Sequence, residues 1–355
     1  MIDRKDKMNT IKIGDRFVGP GHPSFIIAEA GVNHDGNIEK AKKLIDIAVE
    51  AKADAVKFQS FKTEKLLLPT LMKCAYQKKG DGEEGSYADM IRNLELNEEM
   101  HKELFEYCTD KSIMFLSTPF DEESADLLDK LGVKAFKIDS GNLTNPYLLK
   151  HVASKGKPII LSTGMATIGE IDEAIKTIYS TGNQQLILLH CTSNYPPNVS
   201  DANLNAMKTM GLQFNTLIGY SDHTIGLPVS LAAVALGAVL IEKHFTLDRS
   251  AKGPDHLASL EPQELINLVK GIKMVSEALG TTKKEPVIAE KEVADSLRRS
   301  VVSLVAISKG EVITKNKIAI KRPGNGIPPK HFELIVGRVA QKDIPPGSLI
   351  RWDQI

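Results

Sequence analysis

The sequence has little that would mark a secreted, membrane-spanning or nucleic-acid-binding protein. Only three of its 355 residues are cysteine: Cys74, Cys108 and Cys191. An odd, widely spaced set gives neither a disulfide framework nor paired zinc-ligand spacing. A reducing cytoplasm is therefore the expected compartment. No apolar run reaches the length of a membrane span. The start, Met1-Ile-Asp-Arg-Lys-Asp-Lys7, has charges with no apolar stretch behind them and shows no secretory signal. Neither sign of charge is in excess, since 45 Lys and Arg balance 45 Asp and Glu. That removes the general electrostatic reason to expect nucleic acid or an anionic membrane, leaving only a local patch to attract either. A glycine-rich dinucleotide fingerprint after the first strand-like run is also missing. What remains is 42% hydrophobic and 25% charged, the composition of a soluble globular chain with room for one large α/β domain and a small one.

Strand-like and helix-like stretches alternate eight times before residue 281. The expected strands are Phe25–Ala28, Ala53–Phe58, Ile113–Ser117, Val133–Ile138, Pro158–Ser162, Gln185–His190, Thr216–Gly219 and Ala238–Glu242. Most are nearly continuous apolar runs, as strands buried on both faces should be. The stretches between them carry helical spacing. Ile168, Ile171, Ile175 and Ile178 fall on one face, and so do Leu265, Leu268, Ile272, Val275 and Leu279. Pro262 suits the first turn of that last helix and Gly280 its end. Eight such units in about 250 residues predict a closed (β/α)8 TIM barrel, with an open doubly wound sheet as the competitor. One connection is too long. Roughly forty residues separate the second strand from a helix near Leu96–Cys108, and they include Lys78-Lys-Gly-Asp-Gly-Glu-Glu-Gly85. On a barrel this loop would lie at the catalytic face, as a lid or a substrate contact.

The pattern changes after Gly280. The barrel is assigned to residues 1–280, a linker to 281–294 and a small β-rich domain to 295–355. Val305-Ala-Ile-Ser-Lys-Gly-Glu-Val-Ile313 is loosely echoed by Val339-Ala-Gln-Lys-Asp-Ile-Pro-Pro-Gly-Ser-Leu-Ile350, which points to internal pseudo-symmetry. About sixty residues make a marginal core, so the small domain is expected to dock on a partner surface.

Barrel enzymes carry their reactive groups at the C-terminal ends of strands. Here those ends offer Glu29, Asn33 and His34; Lys57 and Gln59; Thr118; Lys137, Ser140 and Asn142; Ser162 and Thr163; His190, Thr192, Ser193 and Tyr195; Ser221, Asp222 and His223; and Glu242 and His244. Any one of them could simply cap the next helix. His223 and His244 each end a short apolar run, which would put two imidazoles on one rim as a metal site with open positions. Lys57 and Lys137 stand inside apolar strands, where an unpaired ammonium costs several kcal/mol. A buried anion would offset that cost, and two lysines among hydroxyls fit a bound phosphate and carboxylate. A Schiff-base lysine is the rival use. The residues alone thus describe a barrel enzyme for a small phosphorylated anion, with a divalent metal polarising a carbonyl.

Nine motifs in order carry a resemblance: Ala28-Glu-Ala-Gly-Val-Asn-His-Asp-Gly36, Val56-Lys-Phe-Gln59, Ser117-Thr-Pro-Phe120, Leu161-Ser-Thr-Gly-Met165, His190-Cys-Thr-Ser-Asn-Tyr-Pro196, Ser221-Asp-His-Thr224, Glu242-Lys-His-Phe-Thr246, Gly253-Pro-Asp-His256 and Lys321-Arg-Pro-Gly-Asn-Gly326. Nearly the whole chain resembles the bacterial sialic acid synthase family, whose products include legionaminic and pseudaminic acids. The resemblance implies a catalytic TIM barrel, an antifreeze-like (SAF) domain and a domain-swapped homodimer. It implies condensation of phosphoenolpyruvate with an open-chain N-acetylated amino sugar such as N-acetylmannosamine, with phosphate leaving by C–O cleavage. It also implies manganese or magnesium on His223 and His244, and Glu29 near a metal-bound water. Lys57, Thr118, Lys137, Ser140, Ser162, Ser193 and Ser221 would bind phosphoenolpyruvate. Gln59, Tyr195 and Asp255 would contact the sugar, and Arg322 would reach across the dimer to the N-acetyl group.

Two positions depart from the family pattern. Asn142 stands where many members have a carboxylate that contacts sugar hydroxyls, and Ser193 stands where some have asparagine. Both put the acceptor in question, and a 2,4-diacetamido sugar, as in legionaminate synthesis, is the leading alternative. Readings from other classes are a carbohydrate- or ice-binding protein, suggested by the tail, and another barrel lyase or aldolase.

Overall fold

The computed structural model describes residues 10–82 and 86–355, in two compact units, Met1–Gly280 and Thr281–Ile355. The charged start at 1–7 and positions 83–85 of the long connection lie outside the described residues.

The first unit begins with a small antiparallel hairpin, β1 (Ile11–Ile13) and β2 (Arg16–Val18). Eight parallel strands follow: β3 (Phe25–Gly31), β4 (Ala55–Ser60), β5 (Met114–Pro119), β6 (Phe136–Ile138), β7 (Ile159–Ser162), β8 (Leu186–Cys191), β9 (Leu217–Asp222) and β10 (Leu240–His244). The ladder runs β5-β4-β3-β10-β9-β8-β7-β6. Its end strands, β5 and β6, pack side by side, giving a nearly closed TIM-like barrel. Each expected strand is present, but several run further at their C-terminal ends. β3 reaches Gly31 and β9 reaches Asp222, because polar residues continue the ladder after the apolar run has stopped.

Alternation along the strands sorts the side chains. Phe25, Ile27, Ala55, Leu116, Ala135, Ile160, Ile187, Leu189, Leu217 and Leu240 form one apolar cluster inside the barrel. Ile11, Ile13 and Val18 of the hairpin join this cluster. The hairpin was not anticipated, since two three-residue strands leave almost no periodic signal. The alternate residues, such as Ile26, Val56, Phe58, Ile159, Leu188 and Ile241, pack outward in a second cluster with the helices. Full burial of a side chain of this size contributes about 1.5–3 kcal/mol.

The helices start and stop where local chemistry dictates. Thr167 and Glu170 form a capping box on Ile168–Tyr179, and Pro262 opens Pro262–Leu279. Ile171, Ile175 and Ile178 are buried as expected, whereas Ile168, in the first turn, is 40% exposed. The long connection is not a bare loop. It contains helices Thr63–Leu66, Ala75–Asp81 and Tyr87–Asn93, and Phe61, Met90, Ile91 and Leu94 pack with Val32 into a local core. Gly80 is required where this segment meets the loop after β10. A Cβ there would stand 2.3 Å from the Gly253 carbonyl oxygen.

The second unit has a helix, Ile288–Leu297, and an antiparallel pair, β11 (Ser300–Ser303) and β12 (Ile318–Lys321). The two echoing segments seen in the sequence pair with each other through the antiparallel bridges Ile307↔Ile344 and Val312↔Val339. Their apolar residues share one core with Val301, Ile318, Ile327 and Ile335. No helix among the described residues is long and apolar enough to cross a membrane.

Candidate active site

The alternation that fills the barrel with apolar side chains continues upward into polar ones. A cavity of about 380 Å³ is lined by Glu29, Lys57, Gln59, Thr118, Lys137, Ser140, Ser162, Ser193, Tyr195, Ser221, His223 and His244. These are twelve of the fifteen residues singled out from the sequence. Asn142, Asp255 and Arg322 are not in its lining. Asn142 is half-buried and tied into its own loop, with Nδ2 donating to Asp139 Oδ1 at 2.7 Å and Oδ1 accepting from Asn145. Asp255 is buried, with Oδ2 3.8 Å from His244 Nδ1. Burial pushes its carboxyl up to about 6, against the pull of His256 and Lys57. Arg322 is exposed in the second unit, where its Nε donates to the Leu297 carbonyl.

Several other strand-end residues do structural work. Asn33 donates to the Phe245 carbonyl and Ser259, Thr163 to the Leu189 carbonyl and Thr192 to the Asp201 carbonyl. His190 Nε2 bonds the Ala202 carbonyl. The cap reading suits all four.

The lysines find their anions within the protein. Lys57 Nζ lies 2.5 Å from Glu29 Oε2 and 3.7 Å from Glu242, and donates to Thr118 Oγ1 at 2.9 Å. Lys137 Nζ lies 3.4 Å from Glu242 Oε1, which also accepts from Ser221 Oγ at 2.9 Å. Their burial therefore does not by itself demand a ligand anion. Glu242 is the hub. Burial alone would raise its pKa, but Lys137 and Lys57 outweigh that and hold it down to about 2. Glu29 goes the other way. Burial pushes it up to about 7 against the attraction of Lys57, and the Glu242 charge adds to the push. Lys57 stays above its ordinary value because Glu242 and Glu29 overcome its desolvation. One carboxylate is thus firmly charged and the other poised to exchange a proton near neutrality.

The two histidines face each other with ring centroids 5.5 Å apart, and the Tyr195 ring lies 4.2 Å from His223 and 5.8 Å from His244. His223 Nδ1 bonds the Thr192 carbonyl at 2.9 Å. A carbonyl only accepts, so Nδ1 carries the proton and the Nε2 lone pair is left for a metal. His244 Nδ1 is buried without a hydrogen-bond partner. Burial depresses both rings, His223 to about 4 and His244 well below 6.5, which keeps them neutral. Neutral imidazoles with available nitrogens fit a divalent ion.

Glu242, although noticed as a strand-end residue, was given no role from the sequence. It stands two residues before His244, so period-two alternation sends both side chains into the barrel. The same rule marks Asp139 after Lys137 and Cys191 after Leu189, and both line the cavity. Cys74 and Tyr87 reach it from the long connection, where no such periodicity operates.

A model of the NeuB family matches residues 44–284, and a SAF-domain model matches residues 298–355. The chain belongs to the NeuB family. It is an enzyme, a phosphoenolpyruvate-dependent nonulosonate synthase, and enzymes of this family generally use a divalent metal. This NeuB-family chain is 47% identical over 330 residues to an N,N'-diacetyllegionaminic acid synthase of Campylobacter jejuni, covering 92% of this chain and 99% of that protein. It is 45% identical over 341 residues to the protein of the same name from Legionella pneumophila, covering 95% and 96%. Among solved structures, an N-acetylneuraminic acid synthetase from Leptospira borgpetersenii in complex with citrate aligns with a TM-score of 0.71 and 37% identity, over 81% of this chain and 95% of that one.

Proposed function

We propose that this enzyme condenses phosphoenolpyruvate with an open-chain 2,4-diacetamido-2,4,6-trideoxymannose to give N,N'-diacetyllegionaminic acid and phosphate. N-acetylmannosamine, the acceptor put first from the sequence, becomes the second reading. The observation that carries the change is the 45–47% identity to two legionaminic acid synthases, against 37% to the N-acetylneuraminic acid synthetase. Asn142 supports it. An amide there, already bonded to Asp139 and Asn145, replaces a carboxylate suited to sugar hydroxyls.

In this reading Lys57 and Lys137 take the phosphate and carboxylate of phosphoenolpyruvate, with Thr118, Ser140, Ser162, Ser193 and Ser221 donating hydroxyls. The Ser162 hydroxyl is buried in the cavity wall without a hydrogen-bond partner, which suits a substrate oxygen. Gln59, Tyr195, Asp255 and, from the partner subunit of a homodimer, Arg322 contact the sugar. The enol π pair forms the new C–C bond to the aldehyde carbon, whose oxygen takes a proton. Water adds to the resulting oxocarbenium carbon and loses its proton to Glu29. Collapse of the adduct breaks the C–O bond, and phosphate leaves with the electron pair. Bound manganese or magnesium, held by His223 and His244, would supply Lewis-acid polarisation of the aldehyde oxygen.

The swapped homodimer is supported by the helix Ile288–Leu297, which buries none of its residues and leaves Ile288 85% exposed. The three free cysteines suit a cytoplasmic setting.

A coupled phosphate-release assay with manganese tests the acceptor. kcat/KM is expected to be at least about tenfold higher with the 2,4-diacetamido sugar than with N-acetylmannosamine, a difference of about 1.4 kcal/mol. The reverse preference would establish the second reading. Trapping of a pyruvyl adduct on Lys57 or Lys137 by borohydride would replace both with an aldolase.

Gly164 offers a separate check on the phosphoenolpyruvate pocket. Its N–H donates to Ser140 Oγ at 2.9 Å, and a Cβ there would stand 2.1 Å from Ser193 Oγ and 2.8 Å from Ser140 Oγ. Gly164→Ala must displace both hydroxyls. KM for phosphoenolpyruvate is expected to rise about tenfold or more, equivalent to losing one good hydrogen bond, with an unchanged circular dichroism spectrum. An unaltered KM would remove Ser140 and Ser193 from the site.

A further inference from the structure

Directly behind the two histidines lies an ion pair that the reaction does not use. Asp222 and Lys243 stand opposite each other in the β9–β10 register, and both side chains are fully buried, with Nζ 2.9 Å from Oδ2. Asp222 Oδ1 accepts from the Thr224 N–H at 2.8 Å and from Thr224 Oγ1 at 2.7 Å, while Oδ2 accepts from Ser230 Oγ at 2.5 Å. Lys243 Nζ also donates to the Thr224 carbonyl. Strand alternation turns these two side chains away from the cavity and turns their chain neighbours His223 and His244 into it.

A buried ion pair is weak ground for stability, because apolar residues of similar volume usually do as well. Its better-attested use is to fix register. That use has a client here. His223 is steadied by the Thr192 carbonyl, but His244 Nδ1 has no hydrogen bond of its own. Metal-binding histidines are ordinarily oriented by such a bond. With the Asp255 carboxylate no nearer than 3.8 Å and the Tyr195 ring beside it, His244 depends on its backbone for placement, and Lys243 is the residue whose side chain ties that backbone to β9.

We infer that Asp222 and Lys243 are positioning residues, whose cross-strand bridge holds His223 and His244 at the separation at which they bind one divalent ion. This rests on the two-histidine metal reading above. Neither residue touches substrate. Ser230, in the helix Pro228–Ala235, completes the clamp from outside the barrel.

The test is Mn²⁺ affinity of the full-length protein without substrates, read from the free-ion electron paramagnetic resonance signal, alongside Tm. Lys243→Met is expected to weaken Mn²⁺ binding at least tenfold, with kcat recovering at saturating Mn²⁺. Ser230→Ala, a milder change, is expected to weaken binding severalfold with the fold intact, and it decides the matter alone if Lys243→Met does not fold. Asp54→Asn serves as the stability control. Asp54 accepts from the Ile26 N–H and pairs with Arg16, and it lies outside the cavity lining. This variant is expected to lower Tm with Mn²⁺ affinity unchanged. Affinities for Lys243→Met and Ser230→Ala within twofold of the wild type would overturn the inference. If instead His223→Ala binds Mn²⁺ as tightly as the wild type, the metal reading itself fails and takes this inference with it.

Discussion

His223→Ala is expected to lower kcat by about a thousandfold or more while leaving the protein folded. Lewis-acid stabilisation of developing charge is worth several kcal/mol, and about 4 kcal/mol corresponds to three orders of magnitude in rate. The ring offers the Nε2 lone pair that the Thr192 contact leaves over, and alanine has no donor to take its place. His244, 5.5 Å away between ring centroids, would be left as a single protein ligand. The measurement is manganese-dependent phosphate release at saturating phosphoenolpyruvate and sugar, together with Mn²⁺ binding by the same variant. Loss of both places the metal at this residue. A kcat within tenfold of the wild type would instead make the histidine an ordinary strand cap and reopen the carbohydrate-binding reading.

The largest effect on stability is expected from Glu242→Gln. Glu242 is the anion shared by Lys57 and Lys137, and all three are nearly inaccessible to water. With its charge removed, the two buried ammoniums keep Glu29 as their one ion-pair partner among the described residues, and it reaches Lys57 and not Lys137 at ion-pair distance. Breaking such a cluster by removing one partner costs about 3–5 kcal/mol. Urea unfolding at neutral pH should show that loss. It should also show recovery when the cluster is replaced as a whole by Lys57→Met, Lys137→Met and Glu242→Leu, since burying apolar groups avoids the desolvation. The triple variant would be stable and inactive, with the buried Glu29 carboxyl protonated. If Glu242→Gln unfolds at the same urea concentration as the wild type, water reaches these charges and the cluster is not the closed electrostatic unit described here.

The barrel was legible because buried parallel strands write themselves as apolar runs and their helices as 3.6-residue stripes. Most of the polar residues that line the cavity were legible for a related reason. Polar residues at the ends of such runs have to be accounted for, and Lys57 and Lys137 are costly enough to point to chemistry on their own. The cost alone does not name the groups within the protein that share in balancing them. Glu29, on the neighbouring strand, and Glu242 do so, and the Glu242 pairings join strands far apart in the chain, which leaves no trace in any one strand's local pattern. Loop residues were harder still. Asn142 and Asp255 follow strands β6 and β10, where alternation ends, and neither is part of the cavity lining, although Asp255 stands 3.8 Å from His244. Tyr87 and Cys74 reach it through short helices that the sequence shows only as a long polar connection. The pairing of the echoed segments in the second unit was visible as similarity before it could be read as contact.

The central claim is that phosphoenolpyruvate is consumed by C–O cleavage during condensation with an amino sugar. Phosphoenolpyruvate labelled with ¹⁸O at the bridging position tests it most directly, with manganese and the 2,4-diacetamido sugar present and the released phosphate weighed by mass spectrometry. The expected result is ¹⁸O in the phosphate, with no release when the sugar is omitted. Label retained in the nonulosonate, or phosphate released without sugar, would contradict it.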